Sequence, residues 1–470
     1  MMRRPLLYHQ IYQRLRESIL SGQLRRGDRL PSTRDLAADA GISRKTAEEA
    51  YAQLRAEGFV VRRAGSGSYV ADVESMQPKT VREVLLTGSR KLSQRGRVIG
   101  AATACVEPST VRAFAAASAA LEAFPVALWQ QLISRNARRI DESSLTYGDP
   151  AGHEPLREAV AAYLGNARGV RCDASQVVIV SSSQQALDLV ARLVVDPGNE
   201  AWVEDPGYPG AKAALSAAGA KLIPVHVDDE GLDVGSGIAQ APNARLAYVT
   251  PSNQYPLGVT MSLERRLLVL DWAQRAGAWI VEDDYDSEFR YDSRPLSSIQ
   301  GLDRHGRVIY IGTFTKVLYP SLRLGYLVLP KDLVQPFIHA RTQIDGHPST
   351  FMQSVVADFI AGGHFAAHIR RMRTLYRARR DVFVEAAQRH LRGKLELINT
   401  DAGLRATGLL TSRRDDREIS RRAERAGIEA PPLSRYSLAP HPRRGLVLGY
   451  AALSPHALRN GLATLATVIT

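Results

Sequence analysis

Apolar residues Leu7, Ile11, Leu15, Ile19 and Leu20 recur at helical spacing and predict a helix closed by Gly22. Ser32 or Thr33 caps a second, short helix, with Asp35 where the helix dipole favours an acid. Gly41 makes a turn, and Ser43 caps a third helix running to about Glu57. Phe59 to Val70 then reads as a hairpin with a basic, glycine-rich tip. From Asp72 to about Thr103 the periodicity fades. Lys79, Arg82, Arg90, Lys91, Arg95 and Arg97 lie among Ser, Gln, Thr and Gly, which predicts a flexible basic linker over 73–104. Beyond it, apolar runs alternate with helical patterns. Val177–Val180, Ala201–Val203, Leu246–Thr250, Trp279–Val281 and Val308–Ile311 are examples. This alternation predicts an α/β domain with a mainly parallel sheet over 105–470, and a smaller subdomain from about 380.

One polar insertion stands out in the apolar pattern. Between Tyr310-Ile-Gly and Leu324-Gly-Tyr lie Thr313, Thr315, Lys316 and Arg323. A lysine here suggests a buried amine acting as a Schiff-base nucleophile beside an anion site. Other polar groups fall where strands end, which is where such sheets bind ligands. Ser182, Ser183 and Gln184 open a helix after Val177–Val180, and free N–H groups there suit a phosphate. Tyr208 follows one predicted strand, and Asn253 and Tyr255 follow another. Glu282, Asp283, Asp284 and Asp286 crowd around Tyr285, with no paired His or Cys to make a metal site.

Composition narrows the picture. The chain has 470 residues, 45% of them hydrophobic, which is ample for two or three domains. Its net charge of +13 is uneven: residues 1–70 hold 13 Lys and Arg against 7 Asp and Glu, or +6, and the other 400 residues carry the remaining +7. A basic head on a nearly balanced body implies an anionic polymer partner for the head. Two cysteines, Cys105 and Cys172, exclude a disulfide framework and fit a reducing compartment. The start lacks a signal-peptide core, and no run reaches the roughly 20 apolar residues of a membrane span. A soluble cytoplasmic protein is expected.

The head carries Gly-Asp-x-Leu-Pro-Ser-x-Arg-x-Leu-Ala, then Gly-Ile-Ser-Arg-x-Thr, then Gly-x-Gly-x-x-Val. It resembles the winged helix-turn-helix of GntR-family transcription regulators over residues 5–72. The resemblance implies that Ser43, Arg44, Lys45 and Thr46 meet base edges in the major groove, with Arg34 beside them. Arg62, Arg63 and the Gly65–Gly67 tip would meet phosphate or the minor groove.

The spacing Thr-x-x-Lys-x6-Arg resembles the lysine segment of fold-type I pyridoxal 5′-phosphate (PLP) proteins of aminotransferase class I and II. That resemblance implies that Lys316 holds the cofactor aldehyde, while Thr313, Thr315, Arg323 and the Ser182–Gln184 turn hold its phosphate. It further implies that Tyr208 stacks on the ring and Asp283 pairs with the ring nitrogen. Tyr285, with either Asn253 or Tyr255, would meet the phenolic oxygen. Tyr147, five residues before Gly152, would reach the phosphate of a second subunit, so a homodimer is implied. Similar proteins usually carry Gly at the place of Ser182, which suggests a tight turn there. Arg444, five residues before Gly449, matches the arginine that binds substrate carboxylate, and Arg435 is a second candidate. His364 and His368 lie in a block resembling a structural segment of MocR/GabR-like regulators, which join these two domains. The whole reading is therefore a PLP-dependent regulator that binds operator DNA and senses an amino compound, or PLP itself, through Schiff-base chemistry. A working aminotransferase with an accessory DNA-binding head is the alternative.

Overall fold

The computed structural model describes residues 7–73, 92–101, 112–116, 119–291, 296–439 and 443–469. The chain divides into two compact units, Met1–Lys91 and Leu92–Thr470.

The first unit holds α1 (Leu7–Leu20), α2 (Thr33–Asp39), α3 (Arg44–Ala56) and the antiparallel pair β1 (Val60–Arg63) and β2 (Gly67–Val70). Both expected caps form. Ser32 Oγ accepts the Asp35 N–H at 3.2 Å, and Ser43 Oγ accepts the Thr46 N–H at 3.1 Å. Each satisfies a donor that a helix start leaves without a partner. Tyr12, Ile19, Tyr51, Leu54, Val60 and Val70 form a small core beneath them.

Part of the expected linker is helical: α4 (Gln94–Ala101) packs on the body. Its Arg95 Nε donates to the Ala217 carbonyl at 3.0 Å. The helix buries none of its residues, so it leaves little apolar periodicity in the sequence. Lys79, Arg82, Arg90, Lys91 and Cys105 lie outside the described residues.

The body continues with α5 (Val126–Ala137), α6 (Glu154–Arg168), β3 (Val177–Val180), α7 (Ser183–Val194), β4 (Glu200–Asp205) and α8 (Pro209–Ala218). Then come β5 (Lys221–Asp228), β6 (Gly231–Leu232), α9 (Val234–Gln240), β7 (Leu246–Val249), α10 (Leu263–Ala276) and β8 (Trp279–Asp284). α11 (Ile299–Leu302), β9 (Val308–Thr313), β10 (Gly325–Val328), α12 (Val334–Asp345) and α13 (Thr350–Ala361) complete the larger part. Its sheet runs β3-β10-β9-β8-β7-β4-β5-β6. β10 is antiparallel to β3 and β9, β6 is antiparallel to β5, and the remaining pairs are parallel. Strands β3, β7, β8, β9 and β10 are buried along their whole length, as a sheet covered on both faces requires.

The 27-residue α14 (His364–His390) leads into the smaller part. There β11 (Leu395–Ile398), β12 (Arg405–Leu410) and β13 (Gly445–Gly449) form an antiparallel sheet, with α15 (Asp416–Arg425) against it and α16 (Pro455–Val468) packed on α14 and α15. Among the described residues, no helix is long and apolar enough to cross a membrane.

Phe383 on α14 joins these layers. It is fully buried, 6.3 Å from the Phe114 ring and 5.3 Å from that of Tyr450. Phe383→Ala should cost about 3–5 kcal/mol in urea unfolding. Leu267→Ala, at a half-exposed position of α10, should stay within about 0.5 kcal/mol of wild type.

Candidate functional site

Parallel strands bring their carboxyl ends to one edge of the sheet. The Ser182–Gln184 turn follows β3, Tyr208 follows β4, Asn253 and Tyr255 follow β7, and Asp283 and Tyr285 lie at the end of β8. Thr313, Thr315 and Lys316 leave β9, and Arg323 enters β10. Because β10, β9, β8, β7 and β4 are consecutive neighbours, residues far apart in sequence gather there.

The end of β8 is the chemical centre. Asp283 is 4% exposed. Its Oδ2 accepts the Tyr248 hydroxyl at 2.7 Å, while Oδ1 is buried without a hydrogen-bond partner. Burial pushes this carboxyl up to about 7. An acid with one unmet buried oxygen suits a cationic N–H donor, which would restore its charged form. Its neighbours find partners within the protein, with Asp284 Oδ1 the one oxygen among them that is also left without a hydrogen bond. Glu282 accepts the Ile299 and Gln300 N–H groups, each at 2.9 Å. Asp284 accepts Arg168 Nε at 2.7 Å and the Tyr310 hydroxyl. Asp286 takes the Asn253 amide at 2.9 and 2.8 Å.

Lys316 is only half-buried, which corrects the fully buried amine expected from the apolar stretch around it. The chain loops out after β9 to reach the sheet edge, and the Thr313 hydroxyl accepts the Thr315 N–H at 3.1 Å to shape that loop. The buried His368 ring bonds the Val317 carbonyl at 2.9 Å, one residue past the lysine. The His364–His368 block thus holds the lysine loop. Arg323 adopts φ +53°, the left-handed region that non-glycine residues rarely occupy, and its side chain is exposed. Such backbone strain clusters at ligand sites.

Ser182 departs from expectation in a simpler way. Its φ is −175°, an extended conformation open to any residue, so no glycine is needed. Its Oγ caps α7 by accepting the Gln185 N–H at 3.2 Å. Gln184 Nε2 reaches the Gly210 carbonyl at 3.0 Å, linking this turn to α8. Gly152 does need to be glycine: its φ is +101°, and an added Cβ would lie 2.5 Å from Ile179. Tyr147, which precedes it, is 95% exposed and stands edge-on to His347 at 5.9 Å.

Four tyrosines surround the site. Tyr255 stands edge-on to Tyr208 at 5.6 Å, to Tyr285 at 6.1 Å and to Tyr436 at 5.4 Å. The Tyr285 hydroxyl donates to the Asn253 carbonyl at 2.5 Å. The Asn253 side chain spends its N–H groups on Asp286, so this part of the phenolic-oxygen reading shifts toward the tyrosines.

Arg444 and Arg435 do not converge here. Arg444 is half-exposed and pairs with Asp415 at 3.0 Å. The reason is register: Arg444 lies just before β13, outside the pleat that Gly445–Gly449 buries. Arg435 sits exposed on the turn Leu433–Tyr436.

Several site residues carried no signal of their own in the sequence. Arg405 opens β12 and is 6% exposed; its guanidinium lies 4.2 Å from the Tyr255 ring and 5.1 Å from that of Tyr285. Lys212, 8% exposed, reaches Asp205 at 3.2 Å and the Tyr436 carbonyl at 2.6 Å. Asp205 also accepts the Leu438 and Ala439 N–H groups at 2.8 and 3.1 Å. Together they strap the 433–439 segment to α8. Glu204 accepts the Thr250 N–H and hydroxyl at 3.0 and 2.6 Å and sets the turn that carries Asn253 and Tyr255.

In the head, Arg34, Ser43, Arg44, Lys45, Arg62 and Arg63 are exposed, and Thr46 is half-buried. Arg44 Nε pairs with Glu48 at 2.9 Å, and Arg63 lies 4.6 Å over the Tyr69 ring. Ser43 to Thr46 occupy the first turn of α3, and Gly67 opens β2.

Residues 7–70 match the family described as bacterial regulatory proteins, gntR family, and residues 115–442 match aminotransferase class I and II. The chain is 41% identical to the probable rhizopine catabolism regulatory protein MocR of Rhizobium meliloti, over 98% of this chain and 93% of that protein. It is 32% identical to the HTH-type transcriptional regulator TauR of Rhodobacter capsulatus, over 98% and 96%. Among solved structures it resembles LysN, an α-aminoadipate aminotransferase from Thermus thermophilus complexed with N-(5′-phosphopyridoxyl)-L-leucine. The TM-score is 0.73 and the identity 27%, covering 80% of this chain and 96% of that one. The fold-type I body and such neighbours indicate pyridoxal phosphate as the cofactor.

Asp283 lends itself to a pH test. Unfolded, its carboxyl titrates near 3.8; folded and cofactor-free, near 7. The folded state therefore binds the extra proton between these values, and stability falls as pH rises through that window. Asp283→Asn removes the titration. Its stability advantage over cofactor-free wild type should grow from pH 4 to 7 and then level off, reaching a few kcal/mol at about 1.4 kcal/mol per pKa unit. Urea unfolding at several pH values measures it.

Proposed function

Because this chain belongs to the MocR-like group of GntR-family transcription regulators, with a GntR head and an aminotransferase class I and II body, we propose that it regulates transcription in response to an amino compound taken up at the Lys316 site. Asp283 carries this reading: its unmatched buried oxygen would receive the ring N–H of pyridoxal phosphate. Bound, that cofactor supplies an aldehyde that condenses with amines. Lys316 would hold it in the resting state. Thr313, Thr315, Arg323, Ser182, Ser183 and Gln184 would hold its phosphate, at the start of α7 where free N–H groups and the helix dipole favour an anion. Tyr208 would cover the ring, and Tyr285, with Asn253 or Tyr255, would border the phenolic oxygen. Tyr147, almost wholly exposed in one chain, would serve the site of a second copy, making a homodimer the working unit.

The head would read DNA through Ser43, Arg44, Lys45 and Thr46 on the first turn of α3, flanked by Arg34, with Arg62, Arg63 and Gly67 on the hairpin against phosphate or minor groove. A ligand alters DNA binding only as far as it binds two arrangements of the protein unequally. One route within the body favours this. α8 begins at Tyr208 in the site, holds Lys212 against the 433–439 strap, and ends where Arg95 of α4 meets Ala217. A change at Tyr208 or Tyr436 would so reach the helix in the later part of the linker. A regulator that works on DNA acts in the cytoplasm.

Purified protein with added cofactor should show a visible absorbance band that borohydride fixes at Lys316 and that Lys316→Ala lacks. An amine effector should shift the band once and change operator binding. Continuous keto-acid production would instead identify a working aminotransferase. Equal operator binding with and without effector, together with equal transcription, would exclude the sensor.

Arg44→Ala should weaken operator binding by roughly 1–3 kcal/mol and relax the preference at its contacted base pair. Arg62→Ala should weaken binding to all sequences alike and flatten its salt dependence by about one unit of slope. Fluorescence anisotropy across a salt series separates the two.

A further inference from the structure

The loop that carries Lys316 is held by a side chain from another element. Between β9 and β10 it turns on short-range bonds: the Leu318 N–H reaches the Phe314 carbonyl at 2.8 Å, and the Thr315 N–H reaches the Thr313 hydroxyl at 3.1 Å. Val317 and Leu318 are each 2% exposed, so the backbone here lies inside the protein. A buried carbonyl needs a donor. The Val317 carbonyl, in the residue next to the lysine, receives one from His368 of α14 at 2.9 Å.

The neighbours of this ring leave it one protonation state. Arg371 Nη2 lies 3.1 Å from His368 Nδ1. A guanidinium only donates, so Nδ1 accepts and carries no proton. A carbonyl only accepts, so Nε2 carries the hydrogen. Both partners therefore select the neutral Nε2–H tautomer, and a charged ring would set an N–H against the guanidinium. Burial, with Arg371 adding to it, holds the ring below the usual imidazole range. Arg371 is itself tied to the Ala123 carbonyl at 2.9 Å. Edge-on contacts with Phe124 at 5.8 Å and Phe359 at 6.4 Å fix the plane of the ring. Phe124 and Trp129 also stand edge-on to Tyr319, at 5.0 and 5.7 Å, and so grip the same loop three residues past the lysine.

We propose that His368 is a positioning residue for Lys316: with its tautomer set by Arg371, it holds the lysine loop so that the amine meets the cofactor aldehyde. This rests on the reading that Lys316 holds the cofactor. A loop released from His368 would present the amine for only part of the time, and the bond to the cofactor would weaken by that fraction.

The test compares cofactor affinity of the full chain with Lys316 present and as Lys316→Ala, and uses borohydride to measure how much bound cofactor is joined to the lysine. His368→Phe keeps an aromatic ring beside Phe124 and Phe359 but leaves the Val317 carbonyl unmet. With Lys316 present it should weaken cofactor binding about tenfold and lower the fraction that borohydride fixes. In Lys316→Ala protein it should change affinity by less than about twofold. His368→Gln, whose amide N–H can replace Nε2–H, should regain part of the loss. Arg371→Leu, at an exposed position, should show a smaller loss. Nitrogen NMR of the histidine rings in cofactor-free protein, assigned with His368→Phe, should find a proton on Nε2 of His368 and none on Nδ1. Equal loss in both backgrounds would make His368 a support of the fold or of the phosphate contacts and overturn the proposal. So would a ring protonated at Nδ1. No visible band in wild type after adding cofactor would overturn the Lys316 reading, and the proposal with it. A wild-type band and affinity indifferent to His368→Phe would overturn the proposal alone.

Discussion

Carboxylates buried at the end of β8 impose the constraint on which the body depends. Glu282, Asp283, Asp284, Asp286 and Glu288 are each 8% exposed or less, within seven residues. A buried charge without a partner would cost several kcal/mol, so each needs a donor from elsewhere in the fold. Glu282 draws in the backbone of α11, Asp284 draws in Arg168 from α6 and Tyr310 from β9, and Glu288 draws in Tyr163 from α6 at 3.0 Å. Asp286 binds the turn after β7. Satisfying this segment therefore ties several elements to one strand end. What remains over is one oxygen each on Asp283 and Asp284.

The same economy explains the tyrosines. Tyr248 holds the orientation of Asp283, while Tyr208, Tyr255, Tyr285 and Tyr436 wall the space above it. An aromatic wall excludes water and still presents hydroxyl tips. Lys212 and Asp205 form a buried ion pair within the larger part, and their contacts to the Tyr436 carbonyl and to the Leu438 and Ala439 N–H groups keep the segment bearing Tyr436 in place. Buried strands position the cofactor side, and the 433–439 segment is held both by these polar contacts and by the buried side chains of Leu433 and Tyr436.

Much of this was legible from the chain. The head was readable because its caps and turns are local: Ser32, Gly41 and Ser43 each act within three residues of their own position. The strands of the large sheet were readable because burial on both faces leaves continuous apolar runs. Lys316, Asp283 and the Ser182 turn were readable because each breaks such a run at its end. Arg405 was not, since a lone arginine beside Gly403 and Leu404 has the look of a surface charge until β12 is placed in its sheet. Arg444 misled for the converse reason: its spacing to Gly449 fits, but its position one residue before β13 turns it outward to Asp415.

By itself the sequence determined what short-range chemistry can settle: two domains, the helix caps, the apolar strands and the polar groups that end them. Their periodicities are properties of a few neighbouring residues. Tertiary structure alone decided which polar groups would share one space. Strand order set Asp283 beside Tyr248, and the antiparallel subdomain slid Arg405 between two tyrosine rings. Pairing between distant strands depends on the packing of the whole sheet, and no local pattern encodes it.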